Sequence, residues 1–501
     1  AFNAALGLLA SAEVGALDDL QRARVNLLRA DARYSQSRGG EGPALLLRAA
    51  EALEPLAPEL ARGTYLDAWG AALFTGAMAR GTSLAEISRK ALAARRPGGS
   101  PRAADFLLDG FSLAFTDGRG AAAPLLRRAA ASFSGSAATI EETLRWGWLA
   151  TAAAVMVWDY EACVAATTRE VRVARESGAL TVLAVGLNVL AQALCLGGDL
   201  RGATLLTTEA DVVTQVTGAQ VAPYGRLVLA GLQGREAEAR RLIDSTIADA
   251  TAAGQGAAVQ YAWWATAMLY NGLGQYEQAL AAAQLASDDT PELFVSGWAA
   301  IELVEAAARA GRPEAAYTAL ERLSGATAAA DTDWGLGIEA RLRALLSDGA
   351  AADLLYREAI DRLSRTRVRP ELARAHLVYG EWLRRGNRRV DARAHLRSAH
   401  EMFAAMRMEA FAERTRRELA ATGERVRRRS VDALDELTAQ EAEIGHLAAA
   451  GRSNPEIGAQ LFLSPRTVEW HLRKVFMKLG VSSRRELATA LEETGRTALM
   501  G

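Results

Sequence analysis

The chain has 501 residues, half of them hydrophobic and 23% charged, with a formal net charge of −1 at pH 7. That length exceeds what one hydrophobic core serves, so several domains or a repeat array are expected, and the composition excludes a disordered chain. A balance so near neutrality excludes a uniformly basic surface, so any polyanionic partner must be met by a local cluster of cations.

The first residues, AFNAALGLLASAEVGALDD, carry no basic segment ahead of their apolar run, and no signal peptide is expected there. A rhythm then runs through the chain. A Gly-centred turn precedes an Ala-rich amphipathic helix in CLGGDLRGATLL, GLQGREAEARRLI, GLGQYEQALAAA, RAGRPEAAYTAL, LSDGAAADLLYREAI and LRRGNRRVDARAHL. The turn glycines Gly198, Gly234, Gly274, Gly311, Gly349 and Gly386 stand 36, 40, 37, 38 and 37 residues apart. A fixed period of this size predicts a solenoid of helical hairpins, each ending a helix at a left-handed cap. In GQYEQALAAA, Tyr276, Ala279, Leu280 and Ala283 share one face, with Ala allowing close approach and Leu and Tyr filling the gap to the next hairpin. Weaker echoes extend the array towards the N-terminus, giving nine or ten tetratricopeptide-like hairpins over 1–415. No alternating β-branched run points to a sheet, and the expected class is all-α.

Within the array, Ala179–Gly198 is uncharged and long enough to raise a membrane span. Asn188, Gln192 and its glycines favour a buried helix, so no membrane partner is expected. Cys163 and Cys195 sit in apolar helical runs and read as small buried hydrophobes of a reducing compartment, here the cytoplasm. Catalytic signatures are missing. None of the lysines (Lys90, Lys474 and Lys478) follows a glycine, so there is no P-loop, and no His-Glu-x-x-His, Cys-x-x-Cys or Gly-x-Ser-x-Gly occurs. His376, His395 and His400 cluster in one repeat at a spacing poor for metal ligation. No catalytic residue, metal site or cofactor is expected.

The texture changes after 415. Residues 416–436 read as a basic linker with Arg425, Arg427, Arg428 and Arg429, and a compact domain is expected over 437–501. Four helices are predicted there, at about 438–450, 454–462, 464–479 and 483–494. Thr438 with Glu441 and Ser483 with Glu486 form capping boxes, while Ser453/Asn454-Pro455 and Ser464-Pro465 offer an N-cap followed by Pro. In the third helix Val468, Leu472, Val475 and Leu479 make an inward stripe towards Ile457, Leu461 and Leu463. Arg466, Trp470, Arg473 and Met477 face the other way, Trp470 about 200° around from Val468. Between Ser464 and Arg485 six cations stand against one anion, Glu469. Such a helix suits a major groove, its flanks on phosphates and its outer face on base edges.

The stretch LTAQEAEIGHLAAAGRSNPEIGAQLFLSPRTVEWHLRKVFMKLGVSSRREL resembles the helix-turn-helix domain of LuxR/FixJ-type bacterial transcriptional regulators. The landmarks are Leu437-Thr438, Glu441, Gly451, Ser453-Asn454, Glu456-Ile457, Leu461, Ser464, Thr467-Val468, His471, Lys478-Leu479, Val481 and Arg484. The array before it resembles the regulatory part of the large ATP-binding LuxR regulators of actinobacteria, whose N-terminal ATPase domain is not seen in this chain. The resemblance implies a recognition helix at 464–479. Glu469, Trp470 and Arg473 would read bases, and Arg466, Lys474, Lys478 and Arg484 would meet the DNA backbone. Leu487 and Leu491 would pair two subunits. Glu469 stands where many relatives are basic and would accept from cytosine N4. Gly458 replaces the usual Ala at a tight helix contact, at about 1 kcal/mol of helix propensity. Other roles stay open: Glu469 could pair with Arg466 or Arg473 along the helix, His471 could be a packed or phosphate-facing residue, and Leu487 and Leu491 could be core of their own domain.

The expectation is a cytoplasmic bacterial transcription regulator, an activator working with RNA polymerase. Its solenoid receives a protein or small-molecule effector, and its last domain binds double-stranded DNA as a homodimer. The competing reading is a helical-repeat scaffold that binds protein and no DNA.

Overall fold

In the computed structural model the described residues are 2–37, 40–219, 221–287, 294–424, 438–461, 463–479, 481, 483–484 and 486–487. Their regular structure is helical, joined by turns and short loops, and includes no strand. The chain divides into two compact units, Ala1–Thr422 and Gly423–Gly501.

The first unit contains 22 described α-helices, from Phe2–Glu13 to Glu409–Ala421, more than the ten or so hairpins of the periodicity would use. Most pack chiefly on their neighbours in the chain, while Tyr224–Gln233 packs mainly on Leu180–Gly197 and Gly256–Leu273. The predicted helix face is buried at Ala279, Leu280 and Ala283. Five of the six periodic glycines take a positive φ, between 59° at Gly349 and 88° at Gly198. The sixth does not: Gly386 lies at φ −79°, and the neighbouring Asn387 takes the left-handed turn at 60°. Asparagine tolerates that region better than most residues.

The array also touches itself across long sequence distances. Gly234, at φ +76°, caps Tyr224–Gln233, and a Cβ there would run into the Cβ of Ala410. Arg127 donates to the Ala330 carbonyl at 2.5 Å. Gly234 therefore serves twice, as a helix cap and as a place where a later part of the array lies against an earlier one.

Helix Leu180–Gly197 is long and apolar enough to cross a membrane by length and composition, yet half of it is buried inside the first unit, where it packs on Leu200–Thr217. Cys163 and Cys195 are free and buried, and burial pushes the Cys163 thiol up to about 12. His376 and His395 face each other with their Nδ1 atoms 2.9 Å apart; burial and the neighbouring ring push His376 down to about 4.

The boundary expected at 415 is early. Helix Glu409–Ala421 runs on through residues assigned to the linker, because Phe411, Arg414, Thr415 and Leu419 are buried against the array. Arg425 and Arg427–Arg429 lie outside the described residues.

In the second unit, helices Ala439–Ala449, Asn454–Leu461 and Pro465–Leu479 enclose a core of Ile444, Ala448, Ile457, Val468, Leu472, Val475 and Leu487. Leu461 and Leu463 pack against it. Each fully buried aliphatic side chain contributes roughly 1.5–3 kcal/mol. Of the expected fourth helix, Arg484, Glu486 and Leu487 are described and helical; its remainder, Leu491 included, lies outside the described residues.

Candidate nucleic-acid interface

Local capping positions the three helices. Thr438 accepts from the Glu441 amide while Glu441 accepts from the Thr438 amide at 3.0 Å, closing a capping box. Ser453 and Glu456 do the same: the Ser453 amide donates to Glu456 at 2.7 Å, which helps hold that carboxyl below its ordinary range. This second Ser-x-x-Glu box stands in the sequence and was not among the expected ones. The third helix starts where the Thr467 amide donates to Ser464 Oγ at 3.1 Å.

Between the second and third helices the chain turns tightly, the Leu463 amide donating to the Gly458 carbonyl at 2.8 Å. A Cβ on Gly458 would lie 2.5 Å from the Leu463 carbonyl oxygen. The glycine thus lets the turn close against the second helix, offsetting its poorer helix propensity.

The third helix divides by face. Val468, Leu472 and Val475 are buried, whereas Arg466, Glu469, Trp470 and Arg473 are exposed, Trp470 at 53%. An indole so exposed beside cations is not part of its own domain's core. Lys474 lies with Nζ 3.7 Å from the centre of the Trp470 ring, a cation–π contact one turn along the helix. His471 meets Trp470 edge-on at 4.8 Å between ring centres, and its buried Nδ1 has no hydrogen-bond partner. Glu469 accepts from Arg473 at 2.9 Å, so of its alternative partners Arg473 is the one engaged.

Residues 435–491 match the family described as bacterial regulatory proteins, luxR family. The second unit carries a LuxR-family helix-turn-helix domain. Over this region the chain is 38% identical across 76 residues to the HTH-type transcriptional regulator Mb0914c of Mycobacterium bovis, which is 15% of this chain and 9% of that protein. It is 37% identical across 75 residues to the transcriptional regulatory protein NarL of Mycobacterium tuberculosis, 15% of this chain and 33% of NarL. A third similarity, 43% across 54 residues, is to the transcriptional regulatory protein LiaR of Bacillus subtilis, 11% of this chain and 26% of LiaR. The chain therefore spans a third or less of each of these relatives.

Two expected site residues of the LuxR-family domain have partners within their own domain. Leu487 is fully buried in the core with Ile444, Val468 and Val475, so it is not a pairing surface: a side chain without exposed area has none to offer a second subunit. Arg484 donates to the Arg452 carbonyl and to the Asn454 side chain, tying the final segment to the start of the second helix. A phosphate reached by Arg484 must share it with those acceptors. Lys478 is within the third helix, its side chain outside the described residues.

Proposed function

We propose that this protein is a sequence-specific transcriptional activator that works on double-stranded DNA in the cytoplasm. The carrying observation is the exposed Trp470, flanked by Arg466, Arg473 and Lys474 on the face of the third helix opposite its buried stripe. Trp470, Arg473 and Glu469 read base edges, and Arg466, Lys474 and Lys478 neutralise phosphates. Two copies bind paired half-sites and engage RNA polymerase. The helical array receives the signal, and no chemistry is assigned to it. The relatives named above as transcriptional regulators support this reading through the C-terminal domain alone.

Selection of bound sequences from a random duplex pool by the full chain tests the proposal. Enrichment of a two-fold symmetric motif whose binding weakens with added salt is the expected result. Binding with no salt dependence and no enriched motif supports the scaffold reading instead.

A further inference from the structure

Helices from distant parts of the array surround two neighbouring interior chambers. The larger, about 80 Å³, is bordered by Tyr224, Tyr261 and Gln192 among other side chains. The smaller, about 40 Å³, lies among the indoles of Trp158, Trp264, Trp298 and Trp334. Trp298 and Leu196 border both. One water needs roughly 10–15 Å³ on this measure, so together the chambers hold far more than a single bridging water.

The smaller chamber has an unmet chemical demand. Trp264 and Trp334 are each 4% exposed, and neither indole N–H has an acceptor. Leaving a buried donor unpaired is costly. The charges on the wall stand in opposite-sign pairs: Glu302 accepts from Arg374 at 2.6 and 2.9 Å and from Asn271 at 2.8 Å, and Glu371 lies 2.7 Å from Arg341. Beyond these pairs the wall offers aromatic faces, the two indole donors and the Arg374 Nε–H, which also lacks an acceptor.

We propose that this chamber pair binds a neutral planar aromatic compound bearing a carbonyl oxygen, which accepts from the Trp264 and Trp334 N–H groups while its rings lie among the indoles. The inference rests on the array's proposed role as signal receiver and names the chemistry of the signal. The site also has a route to the end of the array. Arg374 bonds Glu305 at 2.7 Å, and Glu305 accepts from Arg414 at 2.9 Å, on the last described helix before the second unit begins at Gly423.

Calorimetric titration of the full chain with coumarin tests the site, with naphthalene, of similar size and lacking an acceptor, as the control. Coumarin is expected to bind roughly tenfold more tightly than naphthalene, the worth of one or two buried hydrogen bonds. Trp334→Phe and Trp264→Phe, which keep a ring and delete the N–H, should each weaken coumarin several-fold and leave naphthalene unchanged. No coumarin binding by the unaltered chain overturns the site. So does equal affinity for the two compounds, or wild-type coumarin affinity in either variant when its circular dichroism is unchanged. DNA affinity measured with and without coumarin reads the signal-receiver role separately: binding with unaltered DNA affinity upholds the site and counts against that role.

Discussion

The Arg473 guanidinium lies 2.9 Å from the Glu469 carboxylate one helical turn earlier, and both side chains remain largely exposed, at 78% and 54%. An exposed pair of this kind contributes only about 0.3–0.5 kcal/mol to stability, so its weight falls on the surface it presents to a duplex. Glu469→Gln removes the sole anion of that face and frees Arg473. Affinity for random duplex should rise several-fold while thermal stability stays unchanged, and the preferred base opposite residue 469 should shift. Fluorescence anisotropy on random and selected duplexes reads both; unaltered affinity on each would remove Glu469 from the interface.

Arg473 and Lys474 are adjacent and should behave differently. Arg473→Ala is expected to cost about 1–3 kcal/mol on the best sequence and little on random DNA, relaxing choice at one base pair. Lys474→Ala should weaken binding evenly and reduce the salt slope by about one unit. Titrations at several salt concentrations separate the two, and a uniform loss from Arg473→Ala would argue against base reading.

Leu487 has no exposed area, so Leu487→Ala should destabilise the second unit by about 2–4 kcal/mol, as core truncations do. Hydrogen exchange is the measurement. Protection of the Ala439–Ala449 and Pro465–Leu479 helices should fall at every protein concentration. Unchanged protection with weakened self-association would return Leu487 to a pairing role.

Glu170 is buried with no side-chain partner for its carboxyl, and burial, only partly opposed by the Trp148 backbone, pushes its pKa up to about 8. Between the ordinary carboxyl value near 4.3 and about 8, the unfolded chain loses this proton and the folded one keeps it. Stability contributed at low pH is therefore lost as pH rises through that window. Glu170→Gln should raise the Tm at pH 8 and leave it nearly unaltered at pH 4. A wild-type Tm that does not fall between those values beyond that of the variant would contradict the assignment.

Arg414 bridges Glu305 and Glu381, and Arg374 bridges Glu302 and Glu305, all of them buried. Although burial works the other way, the facing guanidiniums hold Glu305 and Glu381 below the ordinary carboxylate range. Their contribution is present above that range and is lost as pH falls below it. Arg414→Ala leaves two buried carboxylates short of a partner and should cost about 3–5 kcal/mol by denaturant unfolding of the first unit. A cost under about 1 kcal/mol would mean that helix Glu409–Ala421 is held by its apolar contacts alone.

Much of this protein is legible from residue order because the signals are local. The capping residues Thr438, Ser453 and Ser464 act over three positions, and the faces of helix Pro465–Leu479 follow from 3.6 residues per turn, so Val468 inward and Trp470 outward need no tertiary information. The periodic glycines likewise announce a helical array. What tertiary structure decided depends on partners far along the chain. Gly234 abuts Ala410, Arg414 meets Glu305, and Trp264 and Trp334 border one chamber. Leu487 turned inward because the core left by three helices had room for it. Amphipathic spacing says that a face is apolar; only the packed neighbours determine whether that face closes a core or awaits another molecule.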